Sequence, residues 1–567
     1  MRGSAMACTV CALVCGLGLG CGRERERAGE ARPGGQPDGA GEDAALFSGE
    51  VLSLQLKLAP SAMAELAREP HEYVEGSFAF RGVALARVGV RFKGHRSLRK
   101  WSSKPAFKLD FDKYTKGQTL LGLRSLVLNN MVDDPTMARE ALGYEVFRAL
   151  GTPAPRTGYA ELNVNGQRFG LYTVLEPPDA PFLARHFERD DGPLYEGEYG
   201  CDLEPDHVAE LGLEHGDDRD RSSLRALVEA ADGPIAAMLD GEHAPLDPER
   251  FFAFLAAGAW LADFDGYRHA HNYRLYYDPG ARRWSLMPWG LDRVLERDMS
   301  VFDSHERLAS KCFADRDCRL RYIKALHAAL PRIDALDLPA RFERILARID
   351  KVVARDSRRP YDDEARARKL EQTRAWLAGR SARVREQIAC WDGSAERDGD
   401  RDGFGCSDCD DRDDRVHPGA TEACNQRDDD CSGVADDAAS CPCPEQAIAG
   451  ARFALCDRAV SWSRAAELCA AQGARLAHFD SREQSRALGR AARALRESEW
   501  WIGLSDRERE GQRSWHGGIK ASLRDWASGE PDDYACAQDC VAIEKDDGGR
   551  WRDMSCATPQ PFVCRLP

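Results

Sequence analysis

The chain has 567 residues, too many for one hydrophobic core, because single domains usually hold roughly 100–200 residues. Its formal net charge of -15 argues against a nucleic-acid partner, which would require a concentrated basic face, and leaves divalent cations as the favoured partners. Of its 20 cysteines, thirteen follow residue 389, a crowding typical of disulfides formed in an oxidising compartment. These features predict an exported multidomain protein.

The N-terminus supports export. Met1 and Arg2 precede a small, apolar run that is too short to span a bilayer, so residues 1–21 are predicted to be an export signal. The run ends in Gly20-Cys21 and is similar to a bacterial lipobox, although Gly18 stands where leucine is favoured. Lipidation of Cys21 and ordinary cleavage remain alternatives, and a lipid anchor would be the chain's only membrane attachment. Residues 22–45 contain almost nothing to bury and are predicted to be a disordered linker.

A large domain is predicted over residues 46–388. Alternating strand-like runs, such as 88–92 and 273–277, are mixed with amphipathic helical runs at 137–150, 248–261 and 365–388. This mixture indicates an α/β or α+β domain.

Three groups of segments in this domain share an order and spacing. They are residues 91–97 with 103–111, residues 126–130 with Arg139-Glu140 and 170–176, and residues 263–267 with 271–273 and 288–292. Together they resemble the CotH-type kinase family. The resemblance implies an atypical kinase-like α/β domain that uses ATP and Mg²⁺ or Mn²⁺ to phosphorylate protein hydroxyl groups.

Phosphoryl transfer needs cations against the phosphates, ligands for the metal and a carboxylate beside the attacking hydroxyl. Three acidic or amide residues follow the order used by protein kinases: Asp265 to orient the hydroxyl, then Asn272 and Asp292 to ligate the metal. Asp263 is the alternative to Asp265, which is preferred because the spacing of Asp-Gly to Asn-Tyr matches the family there. Lys104 or Lys108 is expected to contact phosphate, with Glu176 pairing with that lysine.

Two departures from the family pattern bear on activity. Many members read P-W-D-x-D where this chain has Gly290 before Leu291 and Asp292, so one carboxylate is missing. If Asp292 is the metal ligand, the site is intact. If the metal ligand is instead the family's aspartate at position 290, the domain is a pseudokinase. The second departure is Lys93, which replaces the family's arginine and keeps the segment basic.

Cysteines and acidic residues mark the next part of the chain. Cys312 and Cys318 are predicted to close a small disulfide loop. Residues 389–442 form an Asp- and Cys-rich module that resembles MopE-type metal-binding modules of bacterial surface proteins. Its alternating carboxylates are typical of calcium loops, although Cys409 at the twelfth position excludes an EF-hand. The expected ligands are Asp398, Asp400, Asp402, Asp410, Asp411, Asp413, Asp428 and Asp430.

Residues 443–567 resemble a C-type lectin-like domain. The resemblance rests on Trp462, W-I-G-L-S-D at 501–506, G-E-P-D at 529–532, W-R-D at 551–553 and F-V-C at 562–564. It implies the disulfides Cys469–Cys564, Cys540–Cys556 and Cys443–Cys456.

The lectin-like segment also carries part of a calcium site. Glu530, Asp532 and Asp553 match the calcium ligands of sugar-binding members, but Gln538 and Arg552 replace a Glu and an Asn. Calcium-dependent glycan binding and a structural or protein-binding role therefore remain alternatives.

The sequence thus predicts a multidomain α+β chain at the cell surface or outer envelope. A kinase-like domain is followed by a calcium module and by a lectin-like α+β domain that localises the enzyme to a glycan or a surface protein. The alternative is a non-catalytic adhesion or assembly protein whose kinase-like domain is a scaffold. The sequence identifies no protein substrate.

Overall fold

The computed structural model describes residues 42–94, 97–197, 200–304, 306–390, 397–406, 408–423, 427–431, 443–495, 498–507, 511–532, 538–544, 548–556 and 558–567. The predicted export signal, Cys21 and residues 22–41 of the predicted linker lie outside these ranges. None of the described helices combines the length and the apolarity needed to cross a membrane.

A closed barrel of seven strands opens the described chain. Its elements are β1 Val51–Leu58, α1 Pro60–Arg68, β2 Val74–Phe80, β3 Val83–Lys93, β4 Ala106–Asp110, β5 Ser125–Asn129, α2 Arg139–Ala149, β6 Thr157–Val164 and β7 Gln167–Leu175. The strand order is β1-β2-β3-β4-β5-β7-β6, and the parallel pair β1–β6 closes it. Side chains of β1 alternate between solvent and the interior, as a half-buried strand requires.

A second, mostly helical layer follows the barrel. Its elements are α3 Ala180–His186, β8 Leu194–Glu196, β9 Gly212–His215, α4 Ser222–Asp232, α5 Ile235–Leu239, α6 Pro248–Leu261, β10 Tyr273–Asp278, β11 Arg283–Pro288, α7 Arg307–Ala314, α8 Arg316–Asp334, α9 Leu338–Val353 and α10 Asp363–Gln387. The four strands form one sheet in the order β11-β10-β8-β9. The predicted mixture of helices and strands is confirmed.

Helix α2 starts two residues later than its apolar pattern predicts. The carboxylate of Asp134 accepts hydrogen bonds from the backbone N–H groups of Thr136 and Arg139, both at 2.9 Å. These bonds satisfy one donor just before the helix and the free N–H of its first residue, Arg139, and so fix where the helix begins.

The Asp- and Cys-rich module consists of turns, and residues 397–406, 408–423 and 427–431 contain neither helix nor strand. Two disulfides that the sequence did not predict, Cys390–Cys406 and Cys409–Cys431, hold it together. The first of them ties the module to the end of α10.

The C-terminal segment forms a nine-stranded sheet with two helices. Its elements are β12 Glu445–Ile448, β13 Ala451–Val460, α11 Trp462–Ala471, β14 Arg475–Leu476, α12 Arg482–Leu495, β15 Trp500–Ser505, β16 Ser514–Trp515, β17 Ile519–Lys520, β18 Cys540–Ile543, β19 Trp551–Met554 and β20 Gln560–Arg565. The four predicted disulfides are all present: Cys312–Cys318, Cys443–Cys456, Cys469–Cys564 and Cys540–Cys556.

Glu306, just before α7, makes the stability of the large domain depend on pH. Its burial, together with the charge and hydrogen bond of neighbouring Asp202, raises the pKa of Glu306 well above its usual value. The folded chain therefore holds this proton more tightly than the unfolded chain does. The stabilisation is complete below the unfolded pKa of about 4.3 and is lost as pH rises.

Glutamine is neutral at every pH, so replacing Glu306 by glutamine removes the cost of keeping a buried carboxyl group protonated. We expect Glu306→Gln to match the wild type at pH 4 and to unfold at higher urea concentration than the wild type at pH 8. The control is Glu242→Gln at an exposed position, which should shift neither midpoint. A variant of equal or lower stability than the wild type at pH 8 would show that Glu306 is not held protonated.

Candidate active site

The hairpin of β10 and β11 brings two of the predicted site segments together. Tyr273 of β10 is paired with Pro288 of β11, and the N–H of Trp289 donates to the carbonyl of Asn272 at 3.0 Å. Asn272, which precedes β10, therefore lies beside Gly290, which follows β11.

Asp265 joins this pair from the turn that follows α6. The Nδ2 group of Asn272 donates to the Asp265 carbonyl at 2.7 Å and to its carboxylate at 3.1 Å. Arg293 Nη1 lies 3.7 Å from the other carboxylate oxygen of Asp265. Asp265 and Asn272 are thus held in one rigid arrangement.

Asp292 and Glu140 extend the site toward the barrel. Burial and the charge of Asp133 raise the pKa of Asp292 to about 7, although Lys93 opposes the shift. Burial and the charge of Asp292 raise the pKa of Glu140 to about 8. Within the described residues, the buried Oε1 atom of Glu140 has no hydrogen-bond partner. Carboxylates that repel one another in this way fit a bound divalent cation, which removes the repulsion.

Lys93, at the end of β3, is the lysine whose positive charge acts on both of these carboxylates. Its charge opposes the pKa rise of both Asp292 and Glu140, and its Nζ atom lies 5.3 Å from the centre of the Trp289 ring. Lys93 was predicted only to keep its segment basic, because it replaces the family's arginine, and Glu140 was not predicted as a site residue.

Lys104 is wrongly placed by the sequence analysis. Its side chain has no exposed surface, and Nζ makes a 2.6 Å salt bridge with Asp356, which follows α9. Asp356 also accepts from the N–H of Leu171 at 3.1 Å. A phosphate cannot reach this buried ammonium group, so Lys104 is a structural residue in this conformation.

The predicted pair of Glu176 with a phosphate-binding lysine is also wrong. The carboxylate of Glu176 is buried and accepts from Arg156 at 2.7 Å and from Arg185. Both of its oxygens are therefore committed to arginines, away from Lys104. Lys108 instead lies 3.1 Å from Glu214, and both side chains are partly exposed. Lys108 remains able to reach a ligand.

Gly290 has a backbone φ of +60°, in the left-handed region that favours glycine. A Cβ atom added to Gly290 would lie 2.9 Å from Asn272 Oδ1. The amide of Asn272 therefore fills the space that a carboxylate at position 290, present in many family members, would need.

The Asp-rich module brings its carboxylates together in two places. Asp398, Asp400 and Asp402 offer ligand atoms within 4.8 Å of one another, as do Asp400, Asp408 and Asp411, and we call these five residues the first cluster. The second cluster is Glu422, Asp428 and Asp430. Asp408 and Glu422 were not predicted. Asp410 and Asp413 were predicted as ligands, but they form salt bridges with Arg427 at 3.0 and 3.1 Å and belong to neither cluster.

The first cluster has the properties of a cation site. The Oδ2 atoms of Asp400, Asp402 and Asp408 are shielded from solvent and, among the described residues, have no hydrogen-bond partner. Burial and the surrounding aspartates raise the pKa of Asp408 to about 6. An oxygen-rich set of unpaired carboxylates fits Ca²⁺.

The lectin-like cluster has a different character. Glu530, Asp532 and Asp553 do converge, with ligand atoms within 4.8 Å of one another. However, Arg513 donates to Asp553 at 2.8 Å, and Arg552 lies 3.7 Å from Glu530. Two guanidinium groups therefore contact carboxylates of this cluster, and their positive charges oppose the binding of Ca²⁺.

Comparison with known proteins agrees with the three modules in order. The family model of CotH kinase protein matches residues 90–381, just over half of the chain. The MopE metal-binding motif matches residues 408–437, and the lectin C-type domain matches residues 458–566.

Individual relatives resemble the two larger modules. Inner spore coat protein H of Bacillus subtilis is 26% identical over 193 residues, covering 32% of this chain and 53% of that protein. Salivary C-type lectin 1 of Aedes albopictus is 32% identical over 123 residues, covering 20% of this chain and 80% of that protein. The solved structure of the C-type lectin CEL-I from Cucumaria echinata is 25% identical, covers 23% of this chain and 98% of that chain, and has a TM-score of 0.21.

The matched family models define a CotH kinase protein domain joined to a metal-binding motif and a lectin-like domain. The chain belongs to the CotH kinase protein family, with a C-type lectin domain at its C-terminal end. The disulfides and the lectin domain indicate an extracellular or surface protein. The chain spans about half the length of the spore coat relative.

Proposed function

We propose that this protein is an exported surface kinase that transfers phosphate from ATP to hydroxyl groups of proteins. The observations that support the proposal are the hydrogen bonds of Asn272 with Asp265 and the electrostatic influence of Asp265, Lys93 and Glu140 on the neighbouring carboxylate of Asp292. Phosphoryl transfer depends mainly on positioning and electrostatic stabilisation, and this arrangement can supply both.

Each residue has a defined part in the proposal. Asp292 and Asn272 hold Mg²⁺ or Mn²⁺, which would neutralise charge on the phosphates. Asp265 accepts a hydrogen bond from the acceptor hydroxyl and orients its oxygen toward the terminal phosphorus. Lys93 contacts the phosphates from the barrel side. Lys108, on the neighbouring strand β4, pairs in register with Arg91, which lies two residues before Lys93 on the same face of β3. Lys108 therefore provides a second cation on that face.

The other modules have supporting roles in the proposal. Calcium binds the carboxylate clusters of the Asp-rich module. The lectin-like domain localises the kinase by binding a surface protein, because Arg513 and Arg552 oppose calcium-dependent sugar binding. The N-terminal signal exports the chain, and lipidation of Cys21, the alternative to ordinary cleavage, would anchor it at the cell surface or outer envelope.

Nucleotide binding tests the proposed site directly. We expect the full chain to bind ATP with Mn²⁺ in a calorimetric titration, and Lys93→Met to weaken that binding by at least about tenfold, since it removes a charge-assisted phosphate contact. Lys108→Met should have a smaller effect, because Glu214 already compensates part of its charge.

The matched control is Lys57→Met, on the exposed face of β1, which should bind ATP like the wild type. Equal affinity for wild type and Lys93→Met would remove Lys93 from the site.

A second candidate function is a non-catalytic adhesion or assembly scaffold. Gly290 favours it, because the chain lacks a carboxylate that many CotH-type members carry beside the metal site. A folded wild type that binds no ATP in the presence of Mg²⁺ or Mn²⁺ would support the scaffold.

A further inference from the structure

A buried arginine joins the kinase-like domain to the Asp-rich module. Arg319, in the first turn of α8, has no exposed surface. Its guanidinium donates to the carbonyl of Phe313 at 2.9 Å and to the carbonyl of Gly403 at 3.1 Å. The ring of Phe404 covers it, with 4.2 Å between Cζ and the ring centre. A buried cation is tolerated only when such partners are in place, and two of these three belong to the Asp-rich module.

The same carboxylates that form the first cluster hold Gly403 and Phe404 in position. Asp398 accepts from the N–H of Gly403 at 2.9 Å, and Asp402 accepts from the N–H of Phe404 at 2.7 Å. On its other face, Phe404 stacks on His417, with ring centres 4.8 Å apart and planes 7° apart. The two partners of Arg319 in the Asp-rich module, Gly403 and Phe404, are thus positioned directly by the cluster.

Two further contacts fix the module against the kinase-like domain. The Cys390–Cys406 disulfide links the residues after α10 to the residue two positions after Phe404. Cys406 also packs against the large hydrophobic core of the kinase-like domain. The segment 403–406 therefore acts as part of that domain's packing.

The first cluster holds carboxylate oxygens that lack partners of their own among the residues that the structure describes. Asp400, Asp402 and Asp408 each have a solvent-shielded Oδ2 atom that lacks a hydrogen-bond partner within the described part of the chain. Their mutual repulsion would spread the loop and draw Asp398 and Asp402 away from Gly403 and Phe404.

We propose that a divalent cation at the first cluster is a structural cofactor of the kinase-like domain, because it fixes Gly403 and Phe404 and thereby completes the burial of Arg319 on α8. The inference rests on the proposed calcium binding of the module. Its effect extends toward the active site, since α8 packs against α6 and Asp263–Asp265 follow the end of α6.

Hydrogen exchange of the oxidised full chain tests this role without using catalysis. In calcium chloride, the amides of α8 should be protected, and removal of calcium with a chelator should speed their exchange by at least about tenfold. Asp402→Asn should show the fast exchange even with calcium present. Asp413→Asn, whose carboxylate lies outside the cluster and pairs with Arg427, should keep the wild-type protection.

A second variant separates the metal site from its effect. Phe404→Ala should still bind calcium in a calorimetric titration but should lose the protection of α8. If calcium binds the wild type and α8 exchange is the same with and without it, the structural role is overturned and the proposed calcium binding stands. If calcium does not bind, both are overturned.

Discussion

Replacement of Asp265 by asparagine is expected to slow phosphate transfer by roughly 10²–10⁴-fold, the range typical of losing a positioned acid or base group. ATP affinity should change by less than about twofold, because Asp265 is assigned to the acceptor hydroxyl and not to the nucleotide. Asparagine keeps the side-chain shape and can still accept from Asn272, so the fold should be retained. Transfer rates at saturating ATP and calorimetric affinities provide the two measurements.

Asp292→Asn should instead affect both measurements, with weaker ATP binding in Mn²⁺ as well as slower transfer, because Asp292 is assigned to the metal. Asp217→Ala, at an exposed position in the same domain, is the matched control and should behave like the wild type. If Asp265→Asn transfers phosphate at the wild-type rate, the assignment of Asp265 to the acceptor hydroxyl is wrong.

Asp356→Ala is expected to destabilise the kinase-like domain by about 3–5 kcal/mol, because it leaves the ammonium group of Lys104 buried without its partner. The N–H groups of Leu171 and Arg358 would also lose their acceptors. Lys104→Met should cost less, since Asp356 would keep those two donors. Denaturant unfolding of the large domain measures the difference.

The two substitutions also test the corrected role of Lys104. Lys104→Met that is folded should bind ATP as tightly as the wild type. The control is Lys116→Met at a highly exposed salt bridge with Asp112, which should change stability by less than about 0.5 kcal/mol. A folded Lys104→Met variant that loses ATP binding would return Lys104 to the nucleotide site.

The sequence predicts the residues proposed for the acceptor hydroxyl and the metal better than those proposed for the phosphates. Asp265, Asn272 and Asp292 flank one hairpin, so their order along the chain largely determines their meeting. Lys93 and Lys104 lie in similar sequence surroundings. Their roles differ because Lys104 pairs with Asp356, which follows it by 252 residues. A pairing at that separation leaves no local pattern. The same reason explains why the arginine partners of Glu176 were missed.

The metal and lectin modules show the same limit. The three disulfides of the lectin-like domain followed from the resemblance, whereas Cys390–Cys406 could not be deduced, because spacing alone does not determine connectivity. Asp408 and Glu422 lie close to carboxylates on other turns of the chain, and sequence periodicity does not predict such contacts. Arg552 was visible in the W-R-D motif, but Arg513 reaches Asp553 from a separate strand-to-strand connection.

Incorporation of labelled phosphate from ATP by the full chain tests the central claim most directly. In Mn²⁺ or Mg²⁺, with a general acceptor protein present, the account predicts labelling of serine, threonine or tyrosine hydroxyls that is lost on chelation and in Asp292→Asn. Absence of labelling, together with absence of ATP binding by the folded wild type, would contradict the kinase assignment and establish the scaffold in its place.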